Sequence, residues 1–318
     1  MNELVTPNAK SLAPASEIFA PQFIEAKSGA RLRVAVFAAE EQNARTCVLL
    51  NGQTEFIEKY FEVVDDLRAR GFCVVTMDWR GQGGSVRALT DPLKVHVTDF
   101  SEYDDDLASL MEQVVCPLSP RPPIGLAHSM GGHNLLRALH ANSRSFSCAV
   151  LSAPMIAIST RGAPAFLARA ITATMNLRGV SPSWVWGMDK RDPLSMPFEN
   201  QIVTSDRDRF LRTQEILART PSIRLAGPTW GWLEAAYRSM RAMQAKGYAE
   251  AISTPMLIFG AGKDQICLTA PARDFANRMP HGKFIELADA EHEILMENDS
   301  IRARFWKGFD EFVNTEAD

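Results

Sequence analysis

Six short apolar runs recur along the chain with helical patterns between them, and this alternation most restricts the fold. The runs are CVLLN (47–51), FCVVTMD (72–78), IGLAH (124–128), CAVLSAP (148–154), MLIFG (256–260) and KFIEL (283–287). They read as continuous apolar strands rather than alternating ones, which is the pattern of parallel strands covered on both faces. Helical periodicity occupies 56–69, 99–115, 129–141, 269–279 and 300–314. Repeated strand–helix units predict an α/β chain with a doubly wound, mostly parallel sheet, helices on both faces, and ligands at the carboxyl ends of the strands. Phe23–Phe37 reads as an added hairpin turning at Ser28-Gly29.

The rhythm breaks once. Residues 155–235 hold helical segments parted by Pro, Gly and Trp but no convincing strand, too long a stretch for a plain loop. We therefore expect a helical cap at 155–235 over a core made of 21–154 and 236–318, with 1–20 a loosely held arm.

Composition narrows the function classes. A net charge of −4 argues against nucleic-acid binding through phosphate neutralisation. The longest mostly apolar stretch, Cys148–Ile158, is interrupted by Ser152 and Pro154 and is too short to span a bilayer. No secretory signal is visible in MNELVTPNAK, and five cysteines without CxxC spacing suggest neither a disulfide framework nor a zinc site. A cytoplasmic protein without metal or organic cofactor is the expectation.

The strongest local signal is IGLAHSMGGHNLLRAL (124–139), a buried strand, Ser129, and a helix opening through Gly131-Gly132. A nucleophile elbow needs small residues two before and two after the serine, here Ala127 and Gly131. A serine that merely caps a helix would explain Ser129 but not the glycines that follow. Such a nucleophile needs a base steadied by an acid. Of six histidines, His292 follows the last strand at the correct sheet edge, whereas His128, His133 and His140 lie on or beside the elbow helix as packing or surface residues. Asp264 follows strand 256–260 on the same edge, while Asp289 would have to fold back on His292. Glu291 and Glu293 read as solvent charges. The order Ser129, Asp264, His292 is that of α/β-hydrolases. Backbone N–H groups of Met130 and Gln53, the latter in the turn after strand 47–51, are the candidate oxyanion donors.

With these segments in hand, NGQTEFIEKY (51–60), DWRGQGGS (78–85), AHSMGG (127–132), the Asp264 loop and EHEILME (291–297) together resemble the α/β-hydrolase branch of bacterial lysophospholipases and monoacylglycerol lipases. Order and spacing match over nearly the whole chain after the first 20 residues. The resemblance implies the fold, the Ser-His-Asp triad and hydrolysis of a carboxylic ester such as a lysophospholipid or monoacylglycerol. It departs from the family pattern at Ala127, usually Gly, and at Asn51, often His. Glu55 and Lys59 match positions near the polar end of substrate in monoglyceride lipases, or else start a surface helix; Asp78 and Arg80 look like loop braces. The cap segments ENQIVTSDRDRF (199–210) and GPTWGWLEAA (227–236) look closer to the bacterial lysophospholipase-like members than to eukaryotic monoglyceride lipases.

Trp184, Trp186, Trp230 and Trp232 suit an acyl tunnel, an interfacial contact, or the cap's own core. The cap carries ten Lys and Arg against seven Asp and Glu, a net of +3 that suggests weak peripheral contact with an anionic membrane. Alternatives are another small acyl substrate, ester or amide, and a catalytically silent hydrolase-fold binding protein.

Overall fold

The computed structural model describes residues 13–41, 44–160, 162–187 and 194–316. Its main sheet uses β1 (Gln22–Glu25), β2 (Arg31–Phe37), β3 (Thr46–Leu50), β4 (Cys73–Met77), β6 (Ile124–His128), β7 (Cys148–Ser152), β9 (Met256–Ala261) and β10 (Gly282–Leu287). Two short strands, β5 (Lys94–Val95) and β8 (Gly227–Pro228), pair separately in parallel, so the 155–235 segment does contain one scrap of strand. The sheet order is β1-β2-β4-β3-β6-β7-β9-β10. The strands from β4 to β10 along it are parallel, and β1 and β2 are added antiparallel. β3, β6 and β7 are buried along their whole length. This explains their unbroken apolar sequences, since each faces helices on both sides. β10 departs from that expectation: it is the edge, and most of its residues are exposed or half-buried.

The helices of the first half are α1 (Ala15–Ile18), α2 (Phe61–Ala69), α3 (Ser101–Leu110), α4 (Cys116–Leu118) and α5 (Met130–Ala141). A π-helical stretch, Met111–Val115, joins α3 to α4. Then come α6 (Ala165–Leu177), α7 (Arg207–Arg219), α8 (Trp230–Met243), α9 (Thr269–Arg278) and α10 (Asp299–Glu316). One core layer packs α3, α5, α8 and α9 against the sheet, and another packs α2 and α10 against its opposite face.

Two expectations change. α8 runs through the expected cap boundary at 235/236, and its Trp232, Ala235, Ala236 and Met240 belong to the main core. Residues 13–20 are not loose. Ala15 is fully buried with its N–H on Asp65, and Phe19 packs on Phe37 and Phe61. The rest of the expected arm lies outside the described residues.

Candidate active site

β6 delivers Ser129 at its carboxyl end, and the chain then turns directly into α5. That turn forces Ser129 to φ 49°, ψ −116°, a backbone state that non-glycine residues rarely adopt. It is locked by the Ser129 N–H on the Ser152 carbonyl (3.0 Å) and by Met155 N–H on the Ser129 carbonyl (3.0 Å). Gly131 is required by close approach: a Cβ there would sit 2.5 Å from the carbonyl oxygens of Leu50 and Asn51. Ala127 is accommodated between Leu50 and Leu151, fully buried in the sheet.

Ser129, His292 and Asp264 come together across three loops. Ser129 Oγ lies 3.0 Å from His292 Nε2, and His292 Nδ1 lies 2.7 Å from Asp264 Oδ2. With Nδ1–H donating to the carboxylate, Nε2 is left to accept the serine proton. Asp264 is itself fixed, because its Oδ1 accepts the Ile266 and Cys267 N–H groups at 2.8 and 2.9 Å. Cys267 Sγ stands 3.9 Å from Ser129 Oγ, and burial pushes this thiol well above its ordinary pKa. Asp264, Cys267 and His292 each place one ligand-type atom within 4.8 Å of the others, but Asp264 and His292 are committed to each other by hydrogen bonding. We assign no metal to them.

The loop after β3 lies against the serine. A Cβ on Gly52 would be 3.1 Å from Ser129 Cβ and 2.8 Å from Glu55 Oε2. Gln82 holds this loop on both sides of Gln53, its Nε2 donating to the Gly52 carbonyl (2.9 Å) and its Oε1 accepting Thr54 N–H (2.5 Å). No acceptor is described for the Gln53 N–H among the described residues, and Met130 N–H, the first of α5, has none from helix geometry. Gln82 escaped the sequence reading, although the GQGGS segment holding it was visible.

Glu55 and Lys59 are not a surface helix start: both side chains are buried. Glu55 accepts Gly52 N–H, Tyr60 O–H (2.7 Å) and Lys59 (2.8 Å). Burial penalises its charge, but the Lys59 ammonium and then His128 override that and hold the carboxyl down at about 2. Lys59 also reaches Glu293 at 2.6 Å, so Glu293 is a buried partner rather than a solvent charge. Burial, only partly offset by Lys59, pushes the Glu293 carboxyl up. Glu291, half-buried, donates its N–H to Glu297 (2.7 Å). Behind them His128 packs on the His292 ring at 4.7 Å, and burial pushes its pKa down to about 4.

Asp78 and Arg80 do brace loops. Asp78 joins Arg33 to the Ile57 and Gly84 N–H groups, and Arg80 pairs with Asp106 and Asp105. The four tryptophans divide. Trp232 is core, its Nε1–H on Tyr103 Oη (3.1 Å) beside Phe100. Trp230 is buried under the exposed Trp186, with ring centroids 5.1 Å apart. Trp184 is half-buried and bridges to Thr229, with Lys94 5.5 Å above its ring.

Fold and site together define an α/β-hydrolase of the serine type, an enzyme that splits carboxylic esters. Residues 41–299 match the family model described as "Serine aminopeptidase, S33", and the chain belongs to this family. Lysophospholipase L2 of Escherichia coli strain K12 is 32% identical over 301 residues, covering 89% of this chain and 84% of that relative. The probable lysophospholipase L2 of Haemophilus influenzae is 27% identical, covering 96% of each chain. A soluble variant of the Saccharomyces cerevisiae monoglyceride lipase, solved with a substrate analogue, superimposes with a TM-score of 0.71 at 19% identity, covering 96% of this chain and 98% of its own.

Proposed function

We propose that this enzyme hydrolyses single-chain lipid esters, lysophospholipids before monoacylglycerols, through a Ser129–His292–Asp264 triad and an acyl-enzyme. The unbroken line of hydrogen bonds from Ser129 Oγ through His292 to Asp264, at 3.0 and 2.7 Å, carries this reading. Ser129 Oγ attacks the ester carbonyl while His292 Nε2 takes its proton, and Asp264 stabilises the imidazolium. The N–H groups of Met130, at the start of α5, and of Gln53, in a loop held by Gln82 and Glu55, receive the oxyanion. His292 then protonates the departing alcohol, and a water molecule activated by the same nitrogen releases the fatty acid.

Support for a lipid substrate comes from the curated relatives and from the surface. α6 turns apolar residues outward: Phe166 is 74% and Leu177 89% exposed, with Trp186 at 66% nearby. Such a patch, on a segment of net positive charge, suits a lipid surface more than open water. No helix among the described residues is long and apolar enough to cross a membrane. As part of the same proposal, the enzyme is cytoplasmic and touches lipid peripherally through the exposed apolar residues of its cap, here taken as 155–229. The family description also favours a second reading, hydrolysis of a peptide amide by the same triad.

One panel decides between them: lysophospholipids, monoacylglycerols, p-nitrophenyl esters and an aminoacyl p-nitroanilide, each with wild type and Ser129→Ala. The expected result is fastest turnover of a long-chain lysophospholipid, none in the variant, and fluorophosphonate labelling confined to wild type. Turnover in Ser129→Ala would remove the triad, and preference for the anilide would replace the substrate class. Leu177→Asp should weaken binding to anionic vesicles without slowing short p-nitrophenyl esters.

A further inference from the structure

His292 stands on the loop between β10 and α10, at a bend two residues before a single 3-10 turn (Ile294–Met296), so its own backbone belongs to neither strand nor helix. Both of its neighbours are nevertheless held. The Glu291 N–H donates to Glu297 Oε1 (2.7 Å), and the Glu293 N–H donates to the Val203 carbonyl (2.7 Å). Glu297 is a fully buried carboxylate. Its other oxygen accepts the Ser205 hydroxyl, the Ser205 N–H at 3.1 Å and the Asn298 N–H at 3.3 Å. The same stretch of chain grips the far end of the loop, where Thr204 Oγ1 donates to the Met296 carbonyl (2.6 Å) and Arg209 to the Glu297 carbonyl (2.9 Å).

We propose that Glu297 is a positioning residue for His292, and that residues 203–209 of the cap complete the support on which the histidine stands. This accounts for the TSDRDR segment (204–209), which the triad itself leaves unexplained. Thr204 and Ser205 hold the histidine loop, Asp206 caps α7 by accepting Arg209 N–H (2.8 Å), and Arg209 ties that helix start to Glu62 and Asp299. A carboxylate is the side chain suited to position 297, because it accepts at both ends and every group facing it donates. Glutamine would set an NH2 against one of those donors. Burying a carboxylate is costly unless hydrogen bonds satisfy it, so a purely packing role would be served better by an apolar residue. Nucleophile and base must meet at hydrogen-bond distance, and a displacement of about 1 Å can cost about 100-fold in rate. The cap segment thereby acts on the proton transfer without touching the substrate.

The proposal rests on the triad reading, and the test separates the two. Glu297→Gln and Ser205→Ala are assayed for kcat and KM on one ester, for the rate of fluorophosphonate labelling, and for the downfield proton resonance of the His292–Asp264 hydrogen bond. Glu297→Gln should lose about tenfold or more in kcat with KM within about twofold, a parallel loss in labelling rate, and a shifted or broadened resonance. Ser205→Ala leaves the Ser205 and Asn298 N–H groups on the carboxylate, so its thermal midpoint should fall little while it shows the same signature at about threefold. Unchanged kcat and resonance in folded Ser205→Ala and Glu297→Gln would overturn the positioning role, as would losses that merely track the unfolded fraction. Failure of the triad shows separately, as turnover surviving in Ser129→Ala.

Discussion

Lys59→Met tests the buried charge cluster behind the serine. In the wild type one ammonium serves Glu55 at 2.8 Å and Glu293 at 2.6 Å, with all three side chains largely withdrawn from water. Methionine fills similar space but leaves two buried carboxylates without a counter-ion. Breaking a buried ion pair in this way costs about 3–5 kcal/mol. The Glu55 side gives the same order: lowering its carboxyl from 4.5 to about 2 corresponds to about 3 kcal/mol favouring the charged form at neutral pH. That share of wild-type stability is present above pH 4.5 and is lost as the pH falls toward 2. In the variant the dependence reverses, because protonating Glu55 and Glu293 removes the uncompensated charges. Urea unfolding near pH 7 should show a deficit of about 3–5 kcal/mol that shrinks progressively as the pH falls through 4.5 toward 2. kcat should fall as well, since Glu55 anchors the Gly52 N–H and through it the loop carrying Gln53. A variant as stable as wild type near pH 7, or a deficit that does not shrink on acidification, would refute the counter-ion role.

Three further substitutions probe the elbow and the core. Gly131→Ala places a methyl 2.5 Å from two carbonyl oxygens of the β3 end, so α5 must move; unfolding should show about 1–3 kcal/mol of destabilisation, with a much larger fractional loss of turnover. Ser129→Gly relieves the backbone held at φ 49° and should raise stability by about 1 kcal/mol while abolishing turnover, read by calorimetry beside the ester assay. His133 is fully buried, with Nδ1 2.8 Å from the Met155 carbonyl and Nε2 2.7 Å from Ser239 Oγ, and burial pushes it down to about 3. The unfolded chain therefore binds a proton below about pH 6.5 that the folded protein refuses, and His133 contributes about 3 kcal/mol to the stability lost between about pH 6.5 and 4. His133→Gln should flatten that acid limb in urea titrations at several pH values, and an unchanged limb would exclude it.

How far the sequence disclosed this protein depended on whether a residue's task was local. Ser129 and Gly131 were legible because a strand running into a helix through a cramped serine needs its small neighbours within a few positions in the chain. Asp264 and His292 were legible at one remove, since each follows a parallel strand and all such strands end on the same edge. The buried network behind them was not. Glu293 looks like any charge in an acidic loop until Lys59, from the other half of the chain, is set beside it. Glu297 likewise shows no periodicity that would mark it as the fixed point between Glu291 and Ser205. Aromatic content misled at Trp232: an indole on an inserted segment suits a substrate tunnel, but α8 enters the main core earlier than the expected boundary and takes Trp232 with it. Spacing reveals groups that act through their own turn of backbone. Groups that act by holding another loop are recovered only when the fold brings the loops together, and here those groups surround the serine and the histidine.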